Sequence, residues 1–184
     1  MDSPSERLRR LQLIQLLPLL EVKRICDKHG IHYTPVFGTL LGTIRHKGFI
    51  PWDDDIDVGM LRKEFNRFLE VAKDELRPEF FLQTYETDPN YPEMVVRLCV
   101  NETTHILKWK KDADIHHGVY IDIYPCDNSP DQKLSQIYHK YMTKWLRYAT
   151  HHKYSPYMKP TSIKGRVFSF VVSLPFAFNK KKSV

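Results

Sequence analysis

The stretch Asp53-Asp54-Asp55-Ile56-Asp57 places four carboxylates in five positions, between Trp52 and an apolar run that opens at Val58. In extended chain, alternate side chains share a face, so Asp53, Asp55 and Asp57 are expected to point the same way. Two such charges ~6.5 Å apart repel by roughly 2.5 kcal/mol at an effective dielectric near 20, and a third raises that cost several-fold. A hard divalent cation, Mg²⁺ or Mn²⁺, relieves the repulsion, takes oxygen ligands and leaves room for phosphate oxygens. The cluster reads as a metal site; the plain alternative is a solvated acidic loop.

Its neighbours favour a phosphorylated ligand. Gly38 and Gly42, in Phe37-Gly38-Thr39-Leu40-Leu41-Gly42, allow close approach to backbone N–H groups at a turn into a helix, which suits phosphate. Thr39 adds a hydroxyl there. Arg45, followed by His46 and Lys47, can grip phosphate oxygens through two parallel bonds. Further along, Asp122 is an isolated acid in the strand-like run Val119-Tyr120-Ile121-Asp122-Ile123, where Asp is disfavoured. It is a candidate metal ligand or general base for an incoming hydroxyl. Arg97, in Val95-Val96-Arg97-Leu98-Cys99, is a strand cation able to hold a phosphate, or a plain surface arginine.

The elements that must position these groups follow from periodicity. Ser5 to His29 carries apolar residues at helical spacing and ends at Gly30. Ile31 to Phe37 reads as a strand interrupted near Pro35. Gly38 to His46 is a short helix, Gly48 to Asp54 a loop and Asp55 to Met60 a strand. Arg62 to Leu76 is an amphipathic helix with Phe65, Phe68, Leu69 and Ala72 on one face. Strands are expected over Phe80 to Tyr85, Met94 to Val100, His105 to Trp109 and Gly118 to Tyr124. Lys133 to Ala149 reads as a helix and His151 to Thr161 as a connection. Ser162 to Phe178 reads as a last amphipathic helix, suited to a core or to peripheral membrane contact.

Composition sets bounds on all this. With 184 residues, 42% hydrophobic and 27% charged, the chain suits one domain with a real core. The formal charge of +6 favours anionic partners. Three cysteines, Cys26, Cys99 and Cys126, without CxxC or disulfide spacing point to reduced thiols and a cytoplasmic setting. Leu11 to Leu20 is too short and too polar (Gln12, Gln15, Pro18) for a membrane span, and Glu21-Val22-Lys23-Arg24 argues against a signal peptide. Nucleic acid is not expected as a partner: no binding motif appears, and the acids would repel phosphates unless a metal intervened.

Gly38-Thr39-Leu40-Leu41-Gly42, Arg45 and Phe49-Ile50-Pro51-Trp52-Asp53-Asp54-Asp55-Ile56-Asp57 closely resemble the signature of the LicD family, phosphocholine transferases of bacterial surface glycans related to fukutin and fukutin-related protein. Gly118 to Pro125 is similar to the family's later acidic strand. The resemblance implies an α+β, nucleotidyltransferase-like fold, a small mixed sheet flanked by helices. It implies a donor-phosphate turn at Gly38-Thr39 and a metal pair at Asp55 and Asp57, with Asp53 added and Asp122 as the later acid. Family donors are CDP-activated alcohols such as CDP-choline, for whose quaternary ammonium Trp52, Tyr85 and Tyr124 are the aromatic cage candidates. Acceptors are sugar hydroxyls of teichoic acid, lipooligosaccharide or capsule, on a glycan that can be lipid-linked, so the inner face of the cytoplasmic membrane is a sensible location. One domain over residues 1–184 is expected, either a short member or one lacking a further acidic and aromatic segment of longer members. Ribitol-phosphate or glycerol-phosphate transfer would use similar donors. A non-catalytic nucleotide binder and a calcium module, with Asp53, Asp55, Asp57 and Glu64 at EF-hand spacing but Val58 where glycine is needed, are the rivals.

Overall fold

A computed structural model describes residues 3–91, 93–107 and 110–154. The chain divides into two compact units. The first comprises residues 1–89, 95–106 and 116–127, and the second comprises residues 90–94, 107–115 and 128–184.

The first unit opens with helix α1, Pro4–His29. Ser3 caps it in a reciprocal capping box: its hydroxyl accepts from the Glu6 N–H, and the Glu6 carboxylate accepts from the Ser3 N–H. Gly30, in the left-handed conformation, closes the helix by donating to the Cys26 carbonyl. Strand β1, Thr34–Pro35, is cut short by its proline and leads into helix α2, Phe37–His46. After a loop come strand β2, Asp57–Leu61, and helix α3, Arg62–Glu75. Strands β3, Phe80–Gln83, β4, Val96–Val100, and β5, Val119–Cys126, complete the unit.

The five strands form one sheet in the order β1-β2-β5-β4-β3. β2 and β5 run parallel and the other pairs antiparallel, so the sheet is mixed. With helices α1 and α3 packed on it, the fold is α+β, as expected from the sequence.

Strand periodicity gives the sheet two unlike faces. Ile56, Val58 and Met60 alternate with Asp57 and Gly59, and Ile121 and Ile123 with Tyr120, Asp122 and Tyr124. Leu98 and Val96 alternate with Arg97. The apolar set packs with Val22 and Ile25 of α1 and Phe65, Phe68 and Ala72 of α3 in one core. The polar set is left on the other face. Buried Glu21 ties α1 to the end of α3: its carboxylate accepts from Arg24 Nη2 at 2.7 Å, and Arg24 Nη2 also donates to the Glu75 carbonyl at 2.7 Å.

The second unit contains helix α4, Lys133–Tyr154, which runs past the expected stop at Ala149 and takes in the start of the expected connection. In this unit Lys110 pairs with Glu93 at 2.7 Å and lies over the Tyr91 ring. Two expectations need correction. His105 to Leu107 is not a strand: the alternation of the segment suggested one, but these residues join no ladder, and Lys108 and Trp109 lie outside the described residues. The first-unit strand expected from Asp55 begins only at Asp57. The Ser162 to Phe178 helix lies outside the described residues. Among those described, no helix is long and apolar enough to cross a membrane.

Candidate functional site

The polar face of the sheet carries a row of four buried groups. Asp57 on β2 lies opposite Asp122 on β5, Asp122 opposite Arg97 on β4, and Arg97 opposite Gln83 on β3. Residues at one register position point to one face, so this row follows from the pairing itself. Arg97 Nε donates to Asp122 Oδ1 at 2.8 Å, and the guanidinium lies 3.7 Å from the centroid of the Tyr120 ring. Arg97 is therefore an ion-paired, stacked residue of the sheet, only 7% exposed.

The acidic loop adjoins the Asp57 end of the row. Ligand oxygens of Asp53, Asp54 and Asp55 lie within 4.8 Å of one another. Simple alternation pairs Asp53 with Asp55 and omits Asp54. The loop is irregular before β2 begins, and that irregularity brings Asp54 in. Asp57 is pushed up to about 7, first by burial and then by the charges of Asp55, Asp122 and Asp53. Asp55 is pushed up to about 6 by burial, by Asp53, Asp54 and Asp122, and by a hydrogen bond to Asp53. The carboxylates of loop and sheet thus form one electrostatic cluster. A hard cation fits this donor set: every donor is oxygen, and added positive charge offsets the like-charge repulsion among these acids.

Helix α2 brings its N-terminal turn to the cluster. Phe37 enters it in the left-handed conformation (φ 50°), costly for an aromatic residue, with its ring edge-on to Tyr124 at 5.2 Å. A Cβ on Gly38 would sit 2.8 Å from Asp53 Oδ2, so only glycine lets the carboxylate lie against this turn. The Thr39 hydroxyl accepts from the Asp57 N–H at 2.9 Å, joining the turn to the first residue of β2.

Gly42 is placed differently. A Cβ there would meet the Gly48 carbonyl at 2.6 Å and the Ile50 nitrogen at 3.0 Å, so it packs α2 against the following loop. Arg45 is exposed in the last turn of α2, about 10 Å along the helix axis from Gly38. Of the aromatic candidates, Tyr124 adjoins the acids: burial, then Asp122, Asp57 and Asp55, hold its phenol above the ordinary range. Trp52 is exposed beside His46, and Tyr85 is exposed just past β3, at the far edge of the sheet from Asp57. The EF-hand arrangement is absent. A strand follows the acids where the loop should continue, and Glu64 accepts from the His32 N–H at 3.2 Å.

Sequence reasoning passed over Gln12, Gln15 and His105. The glutamines reach from α1 to the acidic loop, and His105 lies edge-on to Tyr120 at 5.9 Å. Two glutamines spaced i, i+3 within the leucine-rich run of α1 were the available signal.

Comparison with known proteins gives the family. Residues 30–144 match the model of the LicD/FKTN/FKRP nucleotidyltransferase domain. The chain is 47% identical over 79 residues to the lipopolysaccharide cholinephosphotransferase LicD of Haemophilus influenzae, covering 43% of this chain and 30% of that protein. It is 30% identical over 117 residues to an uncharacterized protein of Rickettsia typhi, covering 64% of this chain and 35% of that protein. A third relative, from Rickettsia prowazekii, is 36% identical over 70 residues, covering 38% of this chain and 24% of that protein. The chain thus spans about a third or less of the length of the curated relatives it matches. The match over 30–144 takes in α2, the acidic loop and all five strands, and on it the chain belongs to the LicD/FKTN/FKRP family.

Proposed function

We propose that this chain carries the centre of a phosphotransferase that moves phosphocholine from CDP-choline onto a hydroxyl of a cell-surface glycan. The observation that carries the reading is the convergence of the Asp53–Asp55 loop, Asp57 and Asp122 beside the Gly38-Thr39 turn. Likeness to a lipopolysaccharide cholinephosphotransferase supports the choice of transferred group and of acceptor.

Asp53, Asp55, Asp57 and Asp122 would hold Mg²⁺ or Mn²⁺, with Asp54 close enough to contribute. When bound, the cation supplies positive charge where a diphosphate donor carries its negative charge. The Gly38-Thr39 turn presents backbone N–H groups to donor phosphate oxygens, and Arg45 serves as an outer phosphate contact. The acceptor hydroxyl oxygen forms a bond to the choline-bearing phosphorus. The bond from that phosphorus to CMP breaks, and CMP leaves with the electron pair. The hydroxyl proton passes to Asp122. Arg97 holds Asp122 Oδ1, so the carboxylate keeps one orientation.

The acceptor we favour is a lipooligosaccharide or lipopolysaccharide glycan, met in the cytoplasm at the inner face of the membrane. The test is release of CMP from CDP-choline in the presence of Mg²⁺ and glycan, with choline-phosphate appearing on the glycan. Transfer from CDP-ribitol or CDP-glycerol, with none from CDP-choline, would reassign the alcohol within the same chemistry.

A further inference from the structure

Helix α1 is an amphipathic helix whose buried face is not uniformly apolar. Gln12 and Gln15 are 3% and 2% exposed among leucines. Burying an amide is costly unless it is hydrogen-bonded, so its partners say what it does there. Gln12 Nε2 donates to the Asp53 carbonyl at 2.9 Å. Gln15 Nε2 donates to the Asp54 carbonyl at 2.9 Å and to the Tyr120 carbonyl at 3.2 Å. Carbonyls only accept, so both side-chain amides must present their NH₂ ends, and Gln15 spends both protons. Arg9 Nη1 donates to Gln12 Oε1 at 3.2 Å and fixes that amide in the same sense.

These bonds fall where the backbone has few of its own. Residues 53–56 are in no helix or strand, yet they carry three of the five clustered acids, Asp53, Asp54, Asp55, Asp57 and Asp122. Tyr120 lies two residues before Asp122 on β5. One side chain, Gln15, therefore ties the acidic loop and the strand of the later acid to a single point on α1. Its Oε1 is buried with no hydrogen-bond partner among the described residues, a cost accepted where the amide is held by its other end.

We infer that Gln12 and Gln15 are positioning residues that fix the acidic loop at its working distance from β5 and so set the affinity of the carboxylate cluster for a divalent cation. The inference rests on the metal reading proposed above. Groups that orient metal ligands typically change metal affinity 10- to 100-fold when removed.

The experiment uses the full chain and Mn²⁺ alone, with free Mn²⁺ followed by electron paramagnetic resonance. Gln12→Met and Gln15→Met keep side-chain length and remove the donors. Each is expected to raise the Mn²⁺ dissociation constant about 10- to 100-fold with an unchanged circular dichroism spectrum. Arg9→Ala changes an exposed residue that reaches the loop through Gln12 Oε1. It is expected to fold normally and weaken Mn²⁺ in the same direction by less, so the inference stays testable if a methionine variant misfolds. Folded variants that bind Mn²⁺ within about twofold of the unaltered chain would overturn the clamp and leave the metal site standing. Absence of saturable Mn²⁺ binding by the unaltered chain would overturn the metal reading, and the clamp with it.

Discussion

Asp57 and Asp122 face each other across the parallel pair β2 and β5, both buried, and the charge of Asp122 helps to push Asp57 up to about 7. Two buried acids in register are unfavourable for the fold alone. Their arrangement separates what the site needs from what the core needs, with consequences for stability, kinetics and packing.

The first concerns stability and pH. Burial and like charges raise Asp57 from an ordinary 3.8 to about 7, so the folded state favours its protonated form. The stability it contributes is complete below the ordinary carboxylate range and is lost as pH rises through about 7. Metal-free protein should lose several degrees of melting temperature between about pH 4 and pH 7. Asp57→Asn should flatten that decline and melt higher than the unaltered chain at pH 8, while turnover falls roughly a thousandfold. Differential scanning fluorimetry across pH, beside a CMP-release assay, measures both.

The second concerns Arg97. A phosphate-holding arginine would act on donor binding, and lysine would partly replace it. An arginine held to Asp122 and stacked on Tyr120 acts on the orientation of that carboxylate, and lysine cannot reproduce both contacts. Arg97→Lys is expected to lower kcat about 10- to 100-fold with KM for the CDP donor changed by less than about threefold. Steady-state kinetics over donor concentration separates the two roles; a rise in KM alone would return Arg97 to the phosphate.

The third sets two glycines of one motif against each other. Both lie in α2, where alanine is intrinsically preferred, so their neighbours decide the outcome. The alanine methyl of Gly38→Ala meets the end of the Asp53 side chain, which can swing aside. Stability should change by less than about 1 kcal/mol and turnover should fall at least about tenfold. The methyl of Gly42→Ala meets backbone at Gly48 and Ile50, which cannot move cheaply. It should cost about 2 kcal/mol of stability. Urea denaturation and the activity assay on both variants check this.

Much of this arrangement was legible in the residues. Helical spacing marked α1 and α3, and the alternation of Ile121 and Ile123 with Asp122 marked β5, because those patterns are local. The crowded acids and the Gly38 turn were visible as a motif. What depends on register or on distant partners was not. The pairing of Arg97 with Asp122 was hidden because it exists only once β4 and β5 align. Gln12 and Gln15 looked like polar interruptions of a core helix, since the carbonyls they serve lie 39 to 105 residues away in sequence. The His105 segment alternates like a strand, but Ile106 is half exposed and its neighbours find no ladder. Asp54 was left out because alternation assumes extended chain, and the loop is irregular.

The most direct measurement is the melting temperature of the chain with CDP-choline, with Mg²⁺, and with both, alongside Asp57→Asn under the same conditions. A ligand that binds only the folded state raises apparent stability by an amount set by its concentration relative to Kd. The account predicts a modest rise with Mg²⁺, a larger one with both than the sum of the separate effects, and neither in Asp57→Asn. Equal stabilisation by CDP-choline with and without Mg²⁺, unchanged in Asp57→Asn, would contradict it.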